Sequence, residues 1–163
     1  MVAVAGIHFG NTNSVITVSN ESKLDTVSND TGDRVTPTIV AYTGAEKVVG
    51  KPAKQFIIRN PLSCIANIKA AFGNGFTDVG LAAMKNTFSC EVIPKNGNIL
   101  FRVKVENDTI QVRTMDAASY IFTKLLEIAE NVGGADLEDV VLTVPENFTE
   151  HQRKSLTVAA GKT

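Results

Sequence analysis

The stretch Gly6-Ile7-His8-Phe9-Gly10-Asn11-Thr12-Asn13-Ser14-Val15-Ile16-Thr17-Val18 decides the fold. Residues 2–9, VAVAGIHF, are a short apolar run ended by Gly10, which predicts a buried strand. Ser14 to Val18 is β-branched in character and predicts a second strand. Gly10-Asn11-Thr12-Asn13 separates the two, so they form a hairpin with those residues at its tip. Such a tip can present successive backbone N–H groups and the Thr12 hydroxyl to an anion. Gly10 has no Cβ and lets a phosphate approach the backbone closely. An ordinary polar hairpin would have the same composition, and the tip alone does not separate the two readings.

Outward from the hairpin, Asp25 to Ser28 predicts a third strand, and Asn29-Asp30-Thr31-Gly32-Asp33 is dense in turn formers. Thr38 to Tyr42 and Lys47 to Val49 predict two more strands. Lys51 opens a helix, with Pro52 in its first turn and Ala53, Phe56 and Ile57 on one face, up to Asn60-Pro61. A second short helix is expected from Leu62 to Phe72, ending at Gly73, and an irregular one around Leu81 to Met84. Cys90 to Ile93 and Leu100 to Val105 form a hairpin about Asn96-Gly97, a strong turn signal. Asn107-Asp108 turns the chain into the strand Ile110 to Val112. Ala118, Ile121, Phe122, Leu125, Ile128, Ala129 and Val132 recur at three and four residues, one apolar stripe of a helix from Asp116 to Val132. Thr114 is its expected N-cap and Gly133-Gly134 its end. Val140 to Val144 predicts a buried strand stopped by Pro145. Thr149 and Gln152 read as a capping box for a last helix running to Ala160. The strands near 4–9, 14–18 and 140–144 are expected to be neighbours in a mixed sheet, flanked by the helices at 116–132 and 149–160.

The 163 residues carry 16 Lys+Arg against 17 Asp+Glu, a formal net charge of -1, which argues against general nucleic-acid binding. No run approaches the roughly 18 apolar residues needed to span a bilayer. The N-terminus has no basic segment ahead of its apolar residues, so a cytoplasmic location is expected and the N-x-[ST] sequons at Asn20, Asn107 and Asn147 are discounted. Cys64 and Cys90 are expected to be reduced, partly buried thiols. Gly161-Lys162-Thr163 imitates the end of a P-loop, but Leu156 stands where that motif needs glycine and the segment closes a helix instead of opening one. After Gly73 and Gly75, Asp78 stands where a dinucleotide fingerprint needs its third glycine. His8 and His151 lie far apart in sequence, and no thiol or carboxylate spacing completes a zinc site.

Several segments, in order, carry a resemblance. Gly6-Ile7-His8-Phe9-Gly10-Asn11-Thr12-Asn13-Ser14 resembles the first phosphate loop of the 70-kDa heat-shock, DnaK-type chaperones, usually G-I-D-L-G-T-T-N-S. Gly32-Asp33-Arg34-Val35-Thr36-Pro37-Thr38-Ile39-Val40-Ala41-Tyr42 is similar to their R-x-T-P-S-x-V-A-F segment. Val49-Gly50 through Ala53-Lys54 to Asn60-Pro61 resembles V-G-x-x-A-K … N-P. Ile68-Lys69 falls where the family carries its catalytic lysine. Val141-Leu142-Thr143-Val144-Pro145-Glu146-Asn147-Phe148 with Gln152-Arg153 resembles V-I-T-V-P-A-Y-F … Q-R. The resemblance spans the chain. It implies an α/β, actin-like (ribonuclease H-like) ATPase fold, first lobe only, with residues 1–37 and 114–163 as an inner subdomain and 38–113 as an inserted outer one.

The resemblance also implies the chemistry. ATP or ADP with Mg2+ would sit between two lobes. His8, Gly10, Asn11, Thr12 and Asn13 would bind phosphate, with the magnesium held through water near His8 and by no direct protein ligand. Lys69 would be catalytic, reaching the γ-phosphate and the attacking water. Pro145 and Arg153 would relay nucleotide state to a peptide-binding domain outside these residues. Two departures qualify this. His8 stands where the family has an aspartate that orders water around magnesium, and a neutral imidazole brings no negative charge to the cation. Asn11 stands where the family has threonine. Both imply nucleotide binding with weak hydrolysis, as in the atypical ribosome-associated members. Asp33-Arg34-Val35-Thr36-Pro37 and Ile58-Arg59-Asn60 resemble the animal-type member of that group. The implied partners are a J-domain co-chaperone, the ribosome and unfolded or nascent polypeptide. The alternatives are a non-catalytic interaction module and a sugar or acetate kinase lobe of the same superfamily.

Overall fold

A computed structural model describes residues 3–20, 23–44, 46–73, 78–133 and 137–161. The elements in chain order are β1 (Ala3–Phe9), β2 (Asn13–Asn20), β3 (Lys23–Thr26), β4 (Thr36–Pro37), β5 (Ile39–Tyr42), β6 (Lys47–Val49), α1 (Lys51–Phe56), β7 (Cys64–Ala66), α2 (Asp78–Lys85), β8 (Glu91–Lys95), β9 (Asn98–Val105), β10 (Asp108–Arg113), α3 (Thr114–Gly133), β11 (Leu137–Thr143) and α4 (Glu150–Ala160). Short 3-10 turns at Pro61–Ser63 and Ile68–Ala71 flank β7. Val2, residues 74–77, Gly134, Lys162 and Thr163, all touched by the sequence reading, lie outside the described residues.

The hairpin β1–β2 pairs antiparallel with His8 opposite Val15 and Phe9 opposite Ser14. β11 joins the other side of β1 in parallel, with His8 opposite Thr143, so the main sheet runs β11-β1-β2-β3 with β4 also on β2. The strands 4–9, 14–18 and 140–144 are therefore neighbours, as expected. Two small antiparallel sheets, β10-β9-β8 and β6-β5-β7, lie between β4 and α3 in the chain. The parallel β1–β11 pair needs a crossover, and α3 completes it.

Alternation in β1 sends Ala5, Ile7 and Phe9 into the core and leaves His8 exposed. Phe9 meets the Phe122 ring of α3 with centroids 5.0 Å apart. The apolar stripe of α3 is fully buried at Ala118, Ile121, Phe122 and Leu125, and the helix touches β1, β2, β5, β6, β9, β10 and α4. Burying one such aromatic or aliphatic side chain is worth about 1.5–3 kcal/mol. The α3 helix thereby ties all three sheets to one core, which also takes Leu156 and Ala159 of α4. Asn96 and Gly97 both have positive φ, 50° and 75°, the backbone a two-residue hairpin turn demands.

Several expectations need correction. The segment 62–72 is not a helix. Its apolar residues sit at helical intervals, but Cys64–Ala66 instead completes the sheet on β5, and Asn67 at φ 55° breaks the chain into a single 3-10 turn. The third strand is Lys23–Thr26, two residues earlier than expected; beyond it Val27 still donates its N–H to Ile16 O and packs its side chain into the core. Thr38 is not in β5: β4 is Thr36–Pro37, and Thr38 is spent on holding the first loop. Thr114 is the first residue of α3, not its cap, and its hydroxyl donates to Ile99 O at 3.0 Å. The α3 helix includes Gly133. α1 ends at Phe56, with a looser turn to Asn60. β11 begins at Leu137 and is no buried strand, since Val140 is 41% and Val141 60% exposed.

Candidate phosphate-binding site

The tip of the first hairpin is shaped from beneath. Thr38 N–H donates to Thr12 O at 2.9 Å, and β4 pairs with Asn13 and Ser14. The buried Ser14 and Thr38 hydroxyls are 2.8 Å apart. A methyl group built on Gly10 would run into the Asn13 carbonyl and reach 3.4 Å from His8 Nε2, so only glycine closes the turn this tightly. Asn11, Thr12 and Asn13 point exposed polar side chains outward. His8 stands beside the tip, exposed, with Nδ1 3.0 Å from the Thr143 hydroxyl. A groove of about 540 Å³ adjoins Asn13 and is lined by Arg34, Lys51, Lys54, Val35 and Ile58.

Lys69 arrives from a different part of the chain. It sits half-buried in the 3-10 turn between buried Ile68 and Ala71. Burial holds its amine below the usual lysine range, because desolvation disfavours the charged form. Lys69 Nζ lies 5.9 Å from the centroid of the Phe148 ring. The turn is anchored twice just beyond it. Phe72 packs edge-on against Phe9, centroids 6.3 Å apart, and Phe72 O accepts Gln152 Nε2 at 2.7 Å.

The segment after β11 closes the arrangement. Thr149 and Gln152 form the expected capping box, each side chain bonded to the other's backbone N–H. Arg153, one residue on, wraps back. Its Nε donates to Phe148 O at 3.1 Å and its Nη2 to Glu146 O at 3.1 Å and, more weakly, to Pro145 O at 3.5 Å. The structure thus links Lys69, Phe148, Arg153 and Pro145 through direct contacts, and joins them to β1 through Phe72 and Phe9. No hydrogen bond or ion pair among the described residues runs from Lys69 to His8, Gly10, Asn11, Thr12 or Asn13. Thr143 and Phe148 carried no role in the sequence reading. The signal for Thr143 was available, since two strands ending side by side place His8 and Thr143 in register.

The exposed donors at the tip suit a phosphate. They give a divalent cation no carboxylate, and the described residues hold no group of three His, Cys, Asp or Glu able to bind a metal. Among the described residues no helix is long and apolar enough to cross a membrane.

A hairpin-led mixed sheet with β11 added in parallel and flanking helices is consistent with the first-lobe architecture of actin-like ATPases. The family model described as Hsp70 protein matches residues 4–163, and the chain belongs to the Hsp70 family. It is 40% identical to the rat Heat shock 70 kDa protein 14 over 160 residues, which is 98% of this chain and 31% of that protein. The zebrafish and human proteins of that name are each 38% identical over 159 residues, 98% of this chain and 32% and 31% of theirs. The chain therefore spans about a third of the length of the curated relatives it matches.

Proposed function

We propose that this chain is the ATP-binding lobe of an Hsp70-type chaperone of the atypical kind, taking ATP or ADP and hydrolysing it weakly or not at all. The observation that carries this reading is the tip Gly10–Asn13, held in shape by Thr38 and flanked by an imidazole where the family has a carboxylate. Backbone N–H groups of the loop and the Thr12 hydroxyl hold the phosphates. The nucleotide brings its own leaving group and, with Mg2+, its own charge neutralisation. Lys69, kept partly desolvated beside Phe148, supplies the positive charge on the γ-phosphate side. A desolvated ammonium acts on a phosphate more strongly than a solvated one. Pro145 and Arg153 form the relay: a change at Lys69 is passed to Phe148 and so to the carbonyls that Arg153 holds. Residues 1–37 with 114–163, and 38–113, form the inner and outer subdomains.

The same reading places the protein in the cytoplasm with a J-domain co-chaperone, the ribosome and nascent or unfolded polypeptide as partners. His8 also favours the neighbouring reading, an interaction module that keeps nucleotide binding and has lost turnover. The family match supports a chaperone over a sugar or acetate kinase. An ATPase assay on the purified chain tests the non-catalytic reading. We expect no turnover above background. Turnover that disappears in Lys69→Ala would overturn the non-catalytic reading and support Lys69 as the catalytic residue.

A further inference from the structure

We propose that Thr143 is a positioning residue for His8: its hydroxyl donates to Nδ1 and so leaves Nε2–H facing the loop as a donor to a phosphate oxygen. This rests on the phosphate-binding reading of the Gly10–Asn13 tip. Three observations carry it. His8 and Thr143 are register partners on adjacent parallel strands, so their side chains emerge side by side on one face. The Nδ1 to Oγ1 distance is 3.0 Å, and that is the ring's hydrogen bond among the described residues. The ring leans over the tip, because Nε2 lies 3.4 Å from the position a Gly10 methyl would take.

A neutral imidazole carries one N–H, and the partner of the other nitrogen selects which. A threonine hydroxyl rotates freely and can donate or accept. A phosphate oxygen accepts only, so an anion at the tip selects the arrangement with Thr143 donating and Nε2 protonated. The consequence separates this chain from the family's aspartate loop. A carboxylate meets phosphate only across a cation or water, whereas an N–H meets it directly. The His8 ring then takes part in phosphate binding without a divalent cation, and Thr143 sets its aim.

The test uses long-range proton–nitrogen NMR of the two histidine rings in the intact chain, with His151 as the internal reference, its Nε2 lying 3.4 Å from Ser155 Oγ. Wild type is expected to show the Nε2–H form at His8. Thr143→Val, nearly isosteric and unable to donate, is expected to show a mixture, and Thr143→Ser to restore the single form. Titration with inorganic tripolyphosphate in EDTA follows, read from the His8 ring and the amides of Gly10 to Asn13. Thr143→Val should bind about two- to fivefold more weakly, by the inverse of the Nε2–H fraction that remains, with Thr143→Ser close to wild type. An Nδ1–H form in wild type, or equal affinity in Thr143→Val and wild type, overturns the proposal while loop amides that still shift leave the phosphate site standing. Loop amides that do not move in any variant overturn both.

Discussion

Gly10→Ala is the sharpest perturbation of the loop. The new methyl meets the Asn13 carbonyl, which belongs to the backbone and cannot rotate away as a side chain would. Relief requires the tip to open, and the tip is tied down by the Thr38 N–H on Thr12 O at 2.9 Å and by the pairing of β4 with Asn13 and Ser14. Overpacking of this kind costs about 1–3 kcal/mol. For a chain of this size that corresponds to a fall in Tm of about 2–12 °C. Gly32→Ala is the matched control. Gly32 has φ +80° in a turn with nothing within 4 Å of a built Cβ, so it bears backbone strain of about 1–2 kcal/mol and no clash. Thermal melts of both variants, with amide spectra over residues 11–14 and 36–38, read the difference. Gly10→Ala is expected to shift those amides and to weaken triphosphate binding, whereas Gly32→Ala lowers Tm alone. A Gly10→Ala chain with a wild-type melt and an unshifted loop would refute the reasoning.

Two further outcomes follow from groups away from the loop. The buried Tyr42 hydroxyl has no hydrogen-bond partner among the described residues, and burial pushes its pKa up, so Tyr42→Phe is expected to match or exceed wild type by about 1 kcal/mol in urea denaturation; a loss of that size would reveal a partner. Burial pushes the Cys90 thiol from the usual 9.0 to about 12 and Cys64 to about 11. Well below the usual 9.0 both thiols are protonated in folded and unfolded chains, so they contribute nothing to pH dependence there. As pH rises from about 9 toward 12 the unfolded thiols ionise first and stability falls. A thiol reagent at pH 8 should leave the native chain untouched and label both cysteines after unfolding; rapid native labelling would contradict their burial.

The parts legible in the sequence were those fixed by local chemistry. Gly10 ends β1, the Asn96-Gly97 turn sets the second hairpin, the α3 stripe names its buried face, and Thr149 with Gln152 caps α4. The tip of the candidate site was legible for the same reason, since its glycine and polar residues are consecutive. What was not legible depends on partners distant in sequence. Cys64, Ile65 and Ile68 have helical spacing, yet β5 offers Cys64–Ala66 a ladder and Asn67 turns the chain before Lys69. The apolar run Val140-Val141-Leu142 reads as buried, but burial on a strand depends on a neighbour along its edge, and composition cannot report one. Lys69 could be named from its flanking motif. Its desolvation, its place beside Phe148 and the Gln152 anchor on Phe72 arise from residues up to 80 positions apart.

On the proposed function, the Gly10–Asn13 loop binds nucleotide phosphate with an imidazole in place of a magnesium-ordering carboxylate. The most direct measurement is a titration of ATP, with and without Mg2+, into wild type and His8→Asp, beside a thermal melt of each. Wild type is expected to bind weakly and to change little with Mg2+. His8→Asp should gain Mg2+-dependent affinity of about ten- to a hundredfold, about 1–3 kcal/mol for one metal-linked charge contact. Unchanged magnesium dependence together with a lower Tm would contradict it, and would make His8 a structural residue of β1.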